Sequence, residues 1–195
     1  MSNIYKPVDW SIQQLVDAVR AGTLTLPDLQ RPFVWPATKV RDLMDSLYRG
    51  YPVGELMFWN QPGEAGTGTI GNGAKGHESK QQIVDGQQRI TSLFVTVTGQ
   101  MVIDDDYRKK YIRIAFNPFN ERFEVASPAL QRSAEWVGDI SSVFSSALTA
   151  YEAFVERLNA ARPDALNPDE RRQVHTALAR LEALKTVMFL SLIHI

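Results

Sequence analysis

A mixed α/β fold is predicted by three observations. Apolar residues recur at i, i+3, i+4, i+7 in several helix-length windows, short apolar or alternating runs lie between those windows, and glycines and prolines sit at the joins. Ser11-Ile12-Gln13-Gln14 has the S-x-x-Q form of a capping box, and Ile12, Leu15, Val16 and Val19 continue a helical stripe that stops at Gly22. Thr23 to Leu26 alternates like a short strand, and the stretch from Pro27 to Pro36 is a loop stiffened by prolines. Val40, Leu43, Met44 and Leu47 predict a second helix ending at Gly50, and Val53 to Trp59 reads as a buried strand.

From Gln61 to Lys80 the composition changes, with six glycines and almost no large apolar residue, which predicts a mobile surface loop. A short strand, Gln82-Ile83-Val84, follows, and Ile90, Leu93, Phe94 and Val97 predict a third, strongly amphipathic helix. Tyr111 to Phe116 and Arg122 to Val125 flank Asn117-Pro118-Phe119-Asn120 as a hairpin. Ala129 to Lys185 is mostly helical, its last long helix opening at Asn167-Pro168. Thr186 to Ile195 is β-like and apolar and stops without a turn or a polar tail, so the reading here is a truncated gene; SLIHI also resembles translated adaptor sequence, and His194 is given no role.

Length and composition narrow the function classes. At 195 residues, 44% hydrophobic and 22% charged, the chain is about one domain with a real core. A net charge of −1 gives no overall basic field, so nucleic acid would have to be held by a local patch or by stacking. The absence of cysteine excludes disulfides, thiolate metal sites and cysteine nucleophiles, and fits a cytoplasmic protein. No signal peptide or membrane span is predicted.

Two phosphate-binding patterns are decoys. Gly66 to Gly71 spells G-x-G-x-x-G but lacks the strand before and the helix after that a dinucleotide site needs. Gly68 to Lys75 nearly spells a Walker A loop, yet Ala74 intervenes before Lys75 and Gly76 stands where Ser or Thr is required. The stretch Val84-Asp85-Gly86-Gln87-Gln88-Arg89 has the context both lack, because a strand feeds a tight turn into a helix N-terminus whose amides can hold an anion. Gly86 would let an anion approach the backbone. Arg89 falls near the helix start, where its cation is unfavourable toward the macrodipole unless a negative charge answers it. Either Asp85 caps the helix and pairs with Arg89, or both serve a bound phosphate; two glutamines offer more donors and acceptors than capping needs, which favours the second.

Other polar clusters are weaker. Gln30-Arg31 stands in the proline-stiffened loop beside Phe33 and Trp35, either as polar groups displayed for a nucleotide or as part of a packed connector. Glu55, after Gly54, is expected to face that loop. Asp104-Asp105-Asp106 and Arg108-Lys109-Lys110 read as a charged turn and a solvated strand approach, and His77 and His175 have no ligand partners at useful spacing.

Together, Leu26-Pro27-Asp28-Leu29-Gln30-Arg31-Pro32-Phe33-Val34-Trp35, Leu43 through Gly54, and Val84 through Leu93 make the chain resemble the N-terminal domain of GmrSD-type, modification-dependent restriction enzymes, a family of ParB/sulfiredoxin-like proteins. The resemblance covers residues 11 to about 100 well and the later helices loosely. It implies a ParB/sulfiredoxin-like domain over residues 1–127, with the loop at 61–80, followed by a mainly helical extension over 128–195. It also implies that the D-G-Q-Q-R residues bind and hydrolyse a nucleoside triphosphate with Mg²⁺. Asp85, Gln88 and Arg89 would be catalytic, Gln30, Arg31, Gly86 and Gln87 would bind the nucleotide, and Asp85 with Glu55 would meet the metal. Some members couple triphosphate turnover to cutting of modified DNA, glucosylated or phosphorothioated, through an HNH-type nuclease domain. With only His77, His175 and His194 available, that domain or subunit is expected outside this chain. The competing expectation is a non-catalytic DNA-binding or protein-interaction module holding phosphate with the same motif.

Overall fold

The computed structural model describes residues 5–27, 32–60, 67–68, 81–104 and 106–194. Its centre is a six-stranded mixed sheet in the order β1-β10-β3-β5-β2-β4, built from β1 (Tyr5–Ser11), β2 (Leu24–Pro27), β3 (Leu56–Asn60), β4 (Thr67–Gly68), β5 (Gln81–Asp85) and β10 (Met188–His194). The pairs β10/β3 and β5/β2 are parallel, whereas β1/β10, β3/β5 and β2/β4 are antiparallel. Alternation along the strands puts Leu24, Leu56, Phe58, Ile83, Phe189 and Ile193 into the buried core.

Three helices bear on that core. In α1 (Ile12–Ala21) the Ser11 hydroxyl accepts from the Gln14 amide at 3.1 Å and the Gln14 side chain accepts from the Ser11 amide at 2.8 Å, the predicted capping box. α2 (Ala37–Arg49) opens after Pro36 and ends at Gly50, left-handed at φ +75°. α3 (Gln87–Thr98) departs from expectation, because every residue from Ile90 to Val97 is buried. It packs against α1, α2 and α5 (Ser141–Ser145), so no side is left for a polar stripe. Ser92 and Thr96 are tolerated there because their hydroxyls donate to the carbonyls of Gln88 and Ser92, each at 2.7 Å.

Two small hairpins pack against the helices, one on α3 and one on α2. β6 (Met101–Ile103) pairs with β7 (Lys109–Tyr111), and β8 (Ile114–Asn117) pairs with β9 (Arg122–Val125) as predicted around Asn117-Pro118. α4 (Pro128–Arg132), α5, α6 (Ala147–Ala161) and α7 (Pro168–Glu182) make the later part mainly helical, and a 3-10 turn at Ala183–Thr186 leads into β10. Among the described residues no helix is long and apolar enough to cross a membrane.

The apolar end of the chain is an interior strand. Met188 to His194 lies between β1 and β3, pairing Ser11 with Met188 and Ser191 with Leu56. The expected division at 127/128 is crossed by that strand, without which β1 has no neighbour in the sheet. It is crossed as well by the Phe116–Val137 bridge and by one continuous core running from Ile12 to Ile193. Pairing on both edges protects the backbone of this run, and alternation buries Phe189, Ser191 and Ile193 while Met188 and Leu190 stay exposed.

Candidate functional site

The D-G-Q-Q-R residues form the turn from β5 into α3. Gly86 is the residue preceding the helix, at φ +93°, and its carbonyl accepts from Ile90 N at 3.0 Å. No side chain caps this helix, so Asp85 does not take the capping role. A Cβ at Gly86 would meet Leu56 Cδ2 at 2.3 Å and Arg89 Nη2 at 3.4 Å. Glycine is therefore demanded by both backbone and packing, and the side on which an anion was expected to approach is filled by Leu56.

Arg89 is held in one place. Its side chain is only 15% exposed; Nη1 donates to the Val53 carbonyl at 2.8 Å, and Nη2 meets Asp85 Oδ2 at 3.3 Å. Asp85 itself is 73% exposed, so this pair is a weak one, worth under about 1 kcal/mol. The guanidinium is thus a nearly buried cation at a helix N-terminus, answered by one carbonyl and one carboxylate standing mostly in water. Such a cation at the positive end of a helix is better satisfied by a further anion than by the pair alone. Gly54, at φ +86°, lies against it: a Cβ there would sit 2.6 Å from Arg89 Nη1. Val53 and Gly54 were expected as the start of a strand and given no site role, and the strand begins only at Leu56; an isolated glycine inside a strand pattern is a signal of close approach by another group.

Gln88 joins two segments far apart in sequence. Its Oε1 accepts from Val34 N at 3.0 Å and Trp35 N at 3.3 Å, and its Nε2 donates to the Pro32 carbonyl at 3.1 Å. The amide that was expected to be catalytic is engaged at both ends with the loop entering α2. That loop is fixed further by a bridge between Phe33 and Asp104. Phe33 is core, and the Trp35 ring carries Lys39 Nζ 4.5 Å from its centroid, so the aromatics are packed and covered as the connector reading anticipated.

The remaining expectations divide by position. Gln30, Arg31 and His77 lie outside the described residues, as do most of the two glycine-loop decoys. Gln87 takes the first helical position and is partly exposed. Glu55 is exposed beside Gly54, at the end of the β3–β5 pair where Met57 faces Asp85. Among the described residues no three His, Asp or Glu side chains gather to hold a metal, so a cation here would take most of its ligands from phosphate oxygens and water. Asp104 belongs to the β6–β7 turn, where hydrogen bonds from the Arg108 amide, opposed in part by burial, and from the Asp106 amide hold its carboxyl below the usual range. His175 packs edge-on against Tyr151.

A family model described as "GmrSD restriction endonuclease, N-terminal domain" matches residues 12–192. No curated protein matches the chain.

Proposed function

From the premise that the chain belongs to the GmrSD restriction endonuclease N-terminal domain family, we propose that it binds a nucleoside triphosphate with Mg²⁺ and hydrolyses it, as part of a restriction protein acting on modified double-stranded DNA in anti-phage defence. The observation that supports this most is the single turn at 85–89. It sets a nearly buried cation beside an exposed carboxylate at an uncapped helix start, and through Gln88 ties in residues 32–35, which follow the Gln30-Arg31 motif in sequence. The mixed sheet is read as ParB/sulfiredoxin-like within this proposal, the protein as cytoplasmic, and an HNH-type nuclease domain or subunit as the partner that cuts.

In this reading the α3 amides and Gln87 hold phosphate oxygens. Arg89 is a fixed counter-charge for the transferred phosphoryl group and needs no reorganisation, because Val53 and Gly54 already hold it. Asp85 is exposed enough to share a hydrated Mg²⁺ or to orient a water, with Glu55 as a more distant second carboxylate. The metal, when bound, would offset the negative charge of the phosphates. Gln88 acts by keeping the loop against the helix.

The test is phosphate release from each of the four ribonucleoside triphosphates with Mg²⁺, with and without DNA, in wild type and Arg89→Ala. Turnover in wild type that the variant loses supports the reading. Release from none, with DNA binding that weakens as salt rises, would instead leave a phosphate-gripping module without chemistry.

A further inference from the structure

Among the described residues one face of the sheet packs on the core, and the other is open along β10 and β3, whereas Thr25 and Gln82 on that same side of β2 and β5 are buried. Parallel strand pairs are ordinarily buried on both faces, and this sheet has two of them, β10/β3 and β5/β2. Yet on the face opposite Phe58 and Phe189, the side chains of Trp59, Val84, Met188 and Leu190 are each 44–54% exposed. Beside them Tyr51 is also exposed, and Leu47, Tyr51, Val53, Val187 and Leu190 line a cavity of about 480 Å³. Clustered apolar exposure of this kind marks a surface that another element covers.

Charge around the patch narrows what that element is. Asp9 is the register partner of Leu190 on β1, and continuing the β10/β3 register one residue back from Ser191–Leu56 sets Glu55 on the other side of Leu190. Trp10 packs edge-on against Phe58, so Asp9 points to the open face with Leu190. Asp9 and Glu55 are both exposed, and among the described residues neither carboxylate has a hydrogen bond or an ion pair. An apolar strip bordered by two unanswered carboxylates fits a helix whose apolar stripe is flanked by lysine or arginine. The same border disfavours nucleic acid, and it disfavours a two-fold contact with a second copy, which would bring acid against acid.

We propose that this open face, centred on Leu190 and Met188 and bordered by Asp9 and Glu55, is the docking site for an amphipathic helix with basic flanks that is not among these 195 residues. The inference does not need nucleotide turnover, although Val53 and Gly54 serve both the cavity wall and Arg89, and Glu55 is also the second carboxylate of the proposed Mg²⁺ site.

The experiment uses the full chain without nucleotide and three synthetic 18-residue helical peptides that share one leucine stripe but carry lysine, glutamine or glutamate beside it. Binding is read by peptide anisotropy. The lysine peptide is expected to bind at least about tenfold tighter than the glutamate peptide. Asp9→Lys should erase that preference, and Leu190→Thr, a strand-compatible change, should weaken all three with circular dichroism unchanged. Absence of binding, equal binding by the three peptides, or wild-type affinity in Leu190→Thr overturns the proposal. So does sedimentation of the chain alone as a dimer that Leu190→Thr makes monomeric.

Discussion

The N-termini of α1 and α3 solve the same problem in opposite ways. Both helices present amides with no partner inside the helix. At α1, Ser11 and Gln14 satisfy one another reciprocally, and α7 repeats the device with Asn167 and Glu170. At α3 there is no side-chain cap, and the polar residues of its first turn are directed elsewhere: Gln88 to residues 32–35, Arg89 to Val53. A helix that forgoes about 1 kcal/mol of capping, and keeps a cation at its positive end, has given up local stability for a local arrangement of charge. That is the pattern expected where a sequence serves a ligand as well as a fold.

Substitutions at the two termini test the contrast. Gly86→Ala should have the largest effect, about 2–4 kcal/mol, since it combines a left-handed φ with a methyl group forced into Leu56. Thermal unfolding should fall by about 5–15 °C, and a change under about 2 °C would mean that packing does not hold this glycine. Gln88→Ala should cost about 1–3 kcal/mol, because it strands two amides and a carbonyl at once. Its signature is faster hydrogen exchange at Val34 and Trp35; unchanged protection there would remove the clamp.

Ser11→Ala should cost about 1 kcal/mol, with exchange altered only in the first turn of α1. Asp85→Asn should change stability least, by under about 1 kcal/mol, its carboxylate being mostly in water. The same variant should lose any stabilisation by Mg²⁺ and triphosphate in a thermal-shift titration, since a ligand selective for the native state raises its stability. Equal shifts in wild type and variant would take Asp85 out of the site.

Legibility in the sequence followed the range of the interactions. The capping box at Ser11, the stops at Gly22 and Gly50 and the hairpin around Asn117 were readable because each depends on residues a few positions apart. The helix after Asp85-Gly86 was readable too, but not its burial, because the sequence does not show that α1, α2 and α5 surround it. The i, i+4 pairing of Asp85 with Arg89 was foreseen as one of two alternatives. The carbonyl that fixes Arg89 is 36 residues away, and the loop that occupies Gln88 is 53 to 56 residues away.

The sequence by itself determined where helices begin and end, the mixed α/β character, and the cluster of polar residues at one helix entrance. Backbone capping and side-chain periodicity are local physics, written in neighbouring residues. Tertiary structure decided that the apolar end of the chain lies between β1 and β3, that one face of the sheet stays open along β10 and β3, and that Gln88 binds a loop rather than standing in solvent. Strand order and long-range hydrogen bonds depend on how distant segments meet, and a β-like run has the same local pattern whether it becomes an edge, a tail or the middle of a sheet.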